Sequence, residues 1–210
     1  MPHKAYFVIA DITGYTAFLT GSELDHAQDI LKTLFNALHT NIKPPLIISN
    51  YQGDAILTYA PEGSFIEGQT LLETIENIYI GFAQTLERMK NNTTCTCKAC
   101  ANMDRLDLKL FVHYGEYVFQ EMPGRTELSG ADVIIAHRMM KNEVKEKTGL
   151  KAYTLFSKAA VDSLGLQDFT CEMKDHSESY DHIGEVQMYA YCLKTMWERE
   201  REKRRIRLTP

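Results

Sequence analysis

Two carboxylates, Asp11 and Asp54, stand where strand-like stretches give way to turns. Asp11 ends the run Tyr6-Phe7-Val8-Ile9-Ala10, apolar and β-branched like a buried strand, and Ile12-Thr13-Gly14 follows as a turn. Asp54 lies in Tyr51-Gln52-Gly53-Asp54-Ala55, a second strand–turn–carboxylate. Such a pair suits metal–polyphosphate chemistry. Carboxylate oxygens are hard ligands for Mg²⁺ or Mn²⁺, and free backbone N–H groups at a helix start bind phosphate oxygens. An Asp at a strand end is equally at home as a helix cap, so it is the second carboxylate that favours the metal reading.

A different chemistry gathers at Cys95-Thr96-Cys97-Lys98-Ala99-Cys100. Three thiolates at this spacing can wrap one structural Zn²⁺, with a fourth ligand from Cys171, a His or a second subunit. Free thiols, or a redox or intersubunit disulfide, are the competing readings. His113 reads more readily as a satisfied core histidine than as a catalytic base.

The elements that must position these groups follow the hydrophobic pattern. After Gly14, the residues Ala27, Ile30, Leu31, Leu34, Phe35 and Leu38 recur at helical spacing, and Pro44-Pro45 stops that helix. Residues 46–48 and 56–59 form a hairpin turning at Gln52-Gly53-Asp54. A loop at 61–68 leads to a long helix with Leu71, Ile75, Ile78, Phe82, Leu86 and Met89 on one face. Leu106, Leu108, Leu110 and Val112 alternate with Asp107, Lys109, Phe111 and His113, the period of a half-buried strand. Gly115 is expected to turn the chain into a second short strand at 117–120, residues 122–130 to be loop, and residues 131–147 to be one helix. A strand near 152–155, a helix at 157–164 and strand-like segments at 169–173 and 185–193 complete the pattern. The order predicts an α+β fold: a ferredoxin-like βαββαβ antiparallel sheet with helices on one face and additions at the C-terminus. One domain is expected over residues 1–195, with a charged helix or tail at 196–210.

Composition narrows the function classes. The chain has 210 residues, enough to bury a sizeable core, with 44% hydrophobic and 24% charged residues. A formal charge of −5 argues against broad nucleic-acid binding, which needs a basic face. No apolar run has the length of a membrane span, and the first residues carry no signal pattern, so a cytoplasmic protein without membrane partners is expected. In that compartment five cysteines do not make a disulfide framework.

Five stretches, in order, resemble the class III nucleotidyl cyclases: residues 7–16 and 53–57, the two metal-binding turns; Val112-His113-Tyr114-Gly115-Glu116, the His-x-Gly strand; residues 130–139, the helix carrying transition-state residues; and residues 184–189, the closing strand. The resemblance spans residues 5 to 193. It implies a homodimer with sites at the interface and two Mg²⁺ or Mn²⁺ ions per site. It also implies conversion of a nucleoside triphosphate to a 3′,5′-cyclic nucleotide and pyrophosphate. Asp11, Ile12 and Asp54 then match the metal-binding positions and Arg138 the transition-state Arg. Thr13, Gly14, Tyr15, Asn50, Tyr51 and Glu127 fall at nucleotide-binding positions.

Four positions depart from the family pattern. Asn50 stands where the family reads adenine with Lys, and Glu127 where it uses Asp or Cys. Ile134 replaces the catalytic Asn, and Asp181 aligns with the triphosphate-binding Lys. Losing one transition-state hydrogen bond costs about 10²–10³ in rate, so Ile134 implies a slower enzyme rather than an inert one. The base is left open and need not be adenine. The alternative is a catalytically impaired module of the same fold that binds Mg²⁺, nucleotide or a partner without turnover.

Overall fold

The computed structural model describes residues 1–65 and 68–208, so the expected loop at 61–68 and the expected tail at 196–210 are each described in part. In chain order the strands are β1 (His3–Thr13), β2 (Ile47–Gln52), β3 (Ala55–Pro61), β4 (Asp107–Met122), β5 (Arg125–Ser129), β6 (Tyr153–Ser157), β7 (Lys174–Tyr180) and β8 (Gly184–Cys192). The helices are α1 (Tyr15–Thr20), α2 (Leu24–Asn41), α3 (Gly68–Asn92), α4 (Lys98–Ala101), α5 (Ala131–Arg138), α6 (Val144–Thr148), α7 (Lys158–Leu164) and α8 (Leu193–Leu208). None is long and apolar enough to cross a membrane.

One sheet runs in the order β2-β3-β1-β4-β6-β8-β7, with β5 paired to the far end of β4. Its pairs are antiparallel except β4–β6. This is the expected α+β class. β1 sits centrally because its side chains are apolar on both faces. Tyr6, Val8, Ala10 and Ile12 enter the larger core beneath α2 and α3, while Ala5, Phe7 and Ile9 enter a smaller one with residues of α5 and α6. The second cluster adds to the expectation of helices on one face: the main helices do share a face, and two short ones cover part of the other. It also explains why β4 is not half-buried. Phe111 and His113, on the supposedly wet side, are buried as deeply as Leu110 and Val112.

Four local expectations are corrected. β4 does not turn at Gly115 but runs straight through it. That glycine is required because a Cβ there would collide with the Asp132 carboxyl group. Residues 125–129 are strand rather than loop, because Pro123-Gly124, with Gly124 at φ 83°, closes a tight turn between the paired Met122 and Arg125. The helix expected over 131–147 breaks after Arg138. There the Asn142 side chain donates to the Met139 carbonyl and accepts from the Val144 N–H, replacing helical bonds. Residues 169–173 do not form a strand. The stretch Gln167–Glu172 is a 3₁₀ helix in which Thr170 bonds back to the Gln167 carbonyl.

Candidate functional site

Asp11 lies on the face of β1 that carries Phe7 and Ile9, opposite Ala55 on β3 and Lys109 on β4. Asp54 reaches it through the β2–β3 hairpin. Gly53, at φ 62°, makes the two-residue turn, and the Ile12 N–H donates to the Asp54 carbonyl at 3.0 Å. Burial, and then the charge of Asp54, push the Asp11 carboxyl up to about 6, against the opposing pull of Lys109. A carboxylate that is costly to ionise beside a second one is a place where a cation lowers the energy. The pair fits a divalent ion on this ground.

Lys109 escaped the sequence reading, where it counted only as the polar partner in an alternating strand. Burial pushes its ammonium down while Asp11 and Glu146 hold it up, and its Nζ lies 5.2 Å from the centre of the Tyr153 ring. The signal that finds it is strand register, which places it directly across from Asp11.

The turn after Asp11 is built around close approach. Gly14 takes a left-handed conformation at φ 85°, and a Cβ there would run into the Arg105 carbonyl. Ile12 is buried in the larger core, so the group it can offer a metal is its backbone carbonyl. Thr13 carries a buried hydroxyl without a hydrogen-bond partner among the described residues, and Tyr15 packs against the larger core.

The positions expected to read the base separate. Asn50 is paired with Leu57, itself paired with Ile9, which puts it on the Asp11 face. Its Oδ1 is buried and has no hydrogen-bond partner among the described residues. Tyr51, next in the strand, goes the other way: its hydroxyl meets His39 Nδ1 at 2.7 Å and its ring lies 6.5 Å from Phe35, both on α2. The structure does not bring Tyr51 to the carboxylates. Glu127 is half-buried on β5, which touches β2, and is held at 2.7 Å by Arg125 Nε.

Arg138 ends α5 with an exposed side chain, and no interaction among the described residues joins it to Asp11 or Lys109. α5 is nevertheless fixed. Asp132, at its start, accepts from the Glu116 N–H at 2.7 Å and lies 3.2 Å from His113 Nε2, and His113 Nδ1 lies 2.8 Å from Ser157 Oγ. A ring carrying its proton on Nε2 satisfies this whole chain, and the hydrogen bond from His113 holds Asp132 below the ordinary carboxylate range. Ile134 is 54% exposed one turn before Arg138. Asp181 is exposed in the turn between β7 and β8.

The three expected cysteines converge, and the His left unnumbered among the candidates for a fourth ligand is His26. The ligand atoms of His26, Cys95, Cys97 and Cys100 all lie within 4.8 Å of one another. His26 opens α2, far away in sequence, where no local pattern marks it. Cys171, one of the candidates for a fourth ligand, donates instead to the Asp168 carbonyl in its own 3₁₀ segment.

Comparison with solved structures gives the fold a context. The guanylyl cyclase Cya2 superposes with a TM-score of 0.67 at 13% identity, over 90% of this chain and 92% of that one. A bacterial light-regulated adenylyl cyclase gives 0.68 at 12%, over 90% of this chain and 51% of that one. A dimeric guanylyl cyclase domain from the fungus Blastocladiella emersonii gives 0.57 at 16%, over 91% and 97%. The fold is cyclase-like. In sequence, the uncharacterized protein Rv2561/Rv2562 of Mycobacterium tuberculosis is 34% identical over 97 residues, which is 46% of this chain and only 45% of that protein's length. The family model described as "Protein of unknown function (DUF2652)" matches residues 7–148, and the chain belongs to that family.

Proposed function

We propose that this chain is a divergent class III nucleotidyl cyclase that closes a nucleoside triphosphate to its 3′,5′-cyclic nucleotide and releases pyrophosphate. The observation that carries the reading is the Asp11–Asp54 pair. Its buried carboxylate is costly to ionise alone, and a backbone hydrogen bond between Ile12 and Asp54 fixes the two residues together. Asp11, Asp54 and the Ile12 carbonyl would hold Mg²⁺ or Mn²⁺, which when bound neutralises the triphosphate and acidifies the ribose 3′-hydroxyl.

The chain's own groups do the rest. Lys109, beside Asp11, would face developing phosphate charge with a partly desolvated cation, which strengthens its electrostatic stabilisation. Gly14, packed against the Arg105 carbonyl, fixes the turn from Asp11 into α1, whose first backbone N–H groups would meet phosphate oxygens. The 3′-oxygen attacks the α-phosphorus, the bond to the bridging oxygen of pyrophosphate breaks, and the hydroxyl proton leaves to solvent. Asn50 Oδ1, unpartnered among the described residues, is an acceptor for a base amino group.

Arg138 would serve the site of a second copy. The exposed apolar side chains Val118, Phe119 and Met122 on β4 and Ile134 on α5 support a homodimer in which the β4–β5 ribbon and α5 take part. The second reading, binding without turnover, is favoured by Ile134, which offers no hydrogen bond where the family pattern implies one. Incubation with each of the four ribonucleoside triphosphates and Mn²⁺, read by mass spectrometry, separates them. A cyclic product that is lost in Asp54→Ala supports the enzyme. Nucleotide binding without any cyclic product supports the module.

A further inference from the structure

We propose that His26, Cys95, Cys97 and Cys100 form a closed zinc site that clamps the α3–β4 connection onto the start of α2. Tetrahedral Zn²⁺ with bonds of about 2.3 Å to sulfur and about 2.0 Å to nitrogen places neighbouring ligand atoms roughly 3.5–3.8 Å apart. His26 Nδ1 lies 3.1 Å from Cys97 Sγ and 3.7 Å from Cys95 Sγ, and all four ligand atoms fall within 4.8 Å. Three thiolates and an imidazole are a soft set that selects Zn²⁺ over the hard Mg²⁺ of the carboxylate pair. Four protein ligands leave no open position, which makes the site structural rather than catalytic. Zinc binding here releases the thiol protons to buffer and involves no electron transfer.

The surrounding bonds show what the ion would hold. The Ala99 N–H donates to Glu23 Oε2 at 3.0 Å, and Asn102 Nδ2 donates to the Gly21 carbonyl at 3.2 Å. Both cross between the segments that the four ligands would join. The 3₁₀ turn Asn102–Arg105 follows at once, and its Arg105 carbonyl is the atom against which Gly14 packs. Zinc therefore braces the turn that follows Asp11 from behind, without touching the carboxylates. The proposal stands whether or not the chain turns over nucleotide.

The test is metal content of the full chain, purified without chelator and dialysed against a weak one. About one zinc per chain is expected to remain. Exchange into Co²⁺ should give the intense visible bands of a tetrahedral site together with thiolate-to-cobalt charge transfer. His26→Ala should weaken and shift those bands, Cys97→Ser should remove most of the bound metal, and Cys171→Ser should change neither. Hydrogen exchange at residues 12–16 should quicken when a strong chelator strips the wild-type chain, a readout that needs no variant. Metal lost on dialysis, or a mass two hydrogens light from a disulfide among the three cysteines, overturns the site. An unchanged cobalt spectrum in His26→Ala overturns the fourth ligand.

Discussion

The Ile12 N–H meets the Asp54 carbonyl at 3.0 Å, and that bond carries the tip of the β2–β3 hairpin to the end of the central strand. Two carboxylates from separate elements thus share one locality by main-chain geometry. The side chains then inherit both the repulsion and its remedy. If a divalent ion is that remedy, binding must stabilise the fold. With Mn²⁺ at ten times its dissociation constant, wild type should gain about 1.4 kcal/mol, or roughly 3 °C in melting temperature. Asp54→Ala should show no gain. Equal shifts in the two proteins, measured by differential scanning fluorimetry, would remove the metal site.

The metal-free protein should also feel the Asp11 proton. Its folded pKa is raised from 3.8 to about 6, so the folded state binds this proton more tightly than the unfolded state does. The associated stability is fully present below pH 3.8 and is lost as the pH rises through 6, by at most about 3 kcal/mol. Asp11→Asn should therefore be the more stable protein at pH 7.5 without metal, with the difference shrinking towards pH 5. Urea unfolding of both across that range checks the sign.

Gly115 admits the Asp132 carboxyl, so Gly115→Ala should cost about 1–3 kcal/mol through overpacking. Combining it with Asp132→Gly, which removes the Cβ as well as the carboxyl group and so empties the crowded space, should cost less than the sum of the two single changes. Additive losses in denaturant melts would mean that the glycine serves another purpose.

Asp11 and Arg138 would work in different subunits of one dimer. Asp11→Asn and Arg138→Ala should each abolish or cripple turnover alone. Mixed and reassociated, they should recover up to about a quarter of wild-type activity, because a two-fold dimer of the two variants retains one intact site. Phe119→Glu should weaken the dimer in light scattering. A mixture no more active than its parts argues for sites contained in one chain.

Base choice should follow Asn50 and not Tyr51. Tyr51→Phe removes a hydroxyl held by His39 on the α2 side and should cost about 1 kcal/mol of stability without changing nucleotide preference. Asn50→Lys should shift preference towards ATP, whereas wild type should show no strong preference for ATP over UTP or CTP. Competition binding with all four triphosphates and Ca²⁺ reads this directly, and a tenfold preference of the wild type for ATP would refute it.

What could be read from the chain before folding was whatever is local. Strand periodicity and a Gly-Asp turn announce Asp11 and Asp54, and helical spacing announces α2 and α3. The Arg125–Glu127 pair was not among these, because residues 122–130 read as loop and only a strand places residues two apart on one face. Hidden were the partnerships set by register and long-range packing. Lys109 needs the β1–β4 alignment, His26 needs α2 docked beside the cysteine loop, and Asp132 needs a gap in a strand that Gly115 only seemed to end. Tyr51 shows the limit most clearly. One step along β2, next to a bulge between Ile48 and Asn50, separates a residue on the carboxylate side from one bound to α2.

The two outermost strands carry a further consequence. β2 is short and interrupted by that bulge, and β7 reads Lys-Asp-His-Ser-Glu-Ser-Tyr, charged or polar at nearly every position. Exposed ladder ends of this kind resist pairing with another chain, because a bulge breaks the hydrogen-bond repeat and charges oppose desolvation. Both ends of the path from β2 to β7 are thus poor templates for sideways growth. If two copies of this chain associate, meeting through faces and helices is favoured over extending the sheet at β2 or β7.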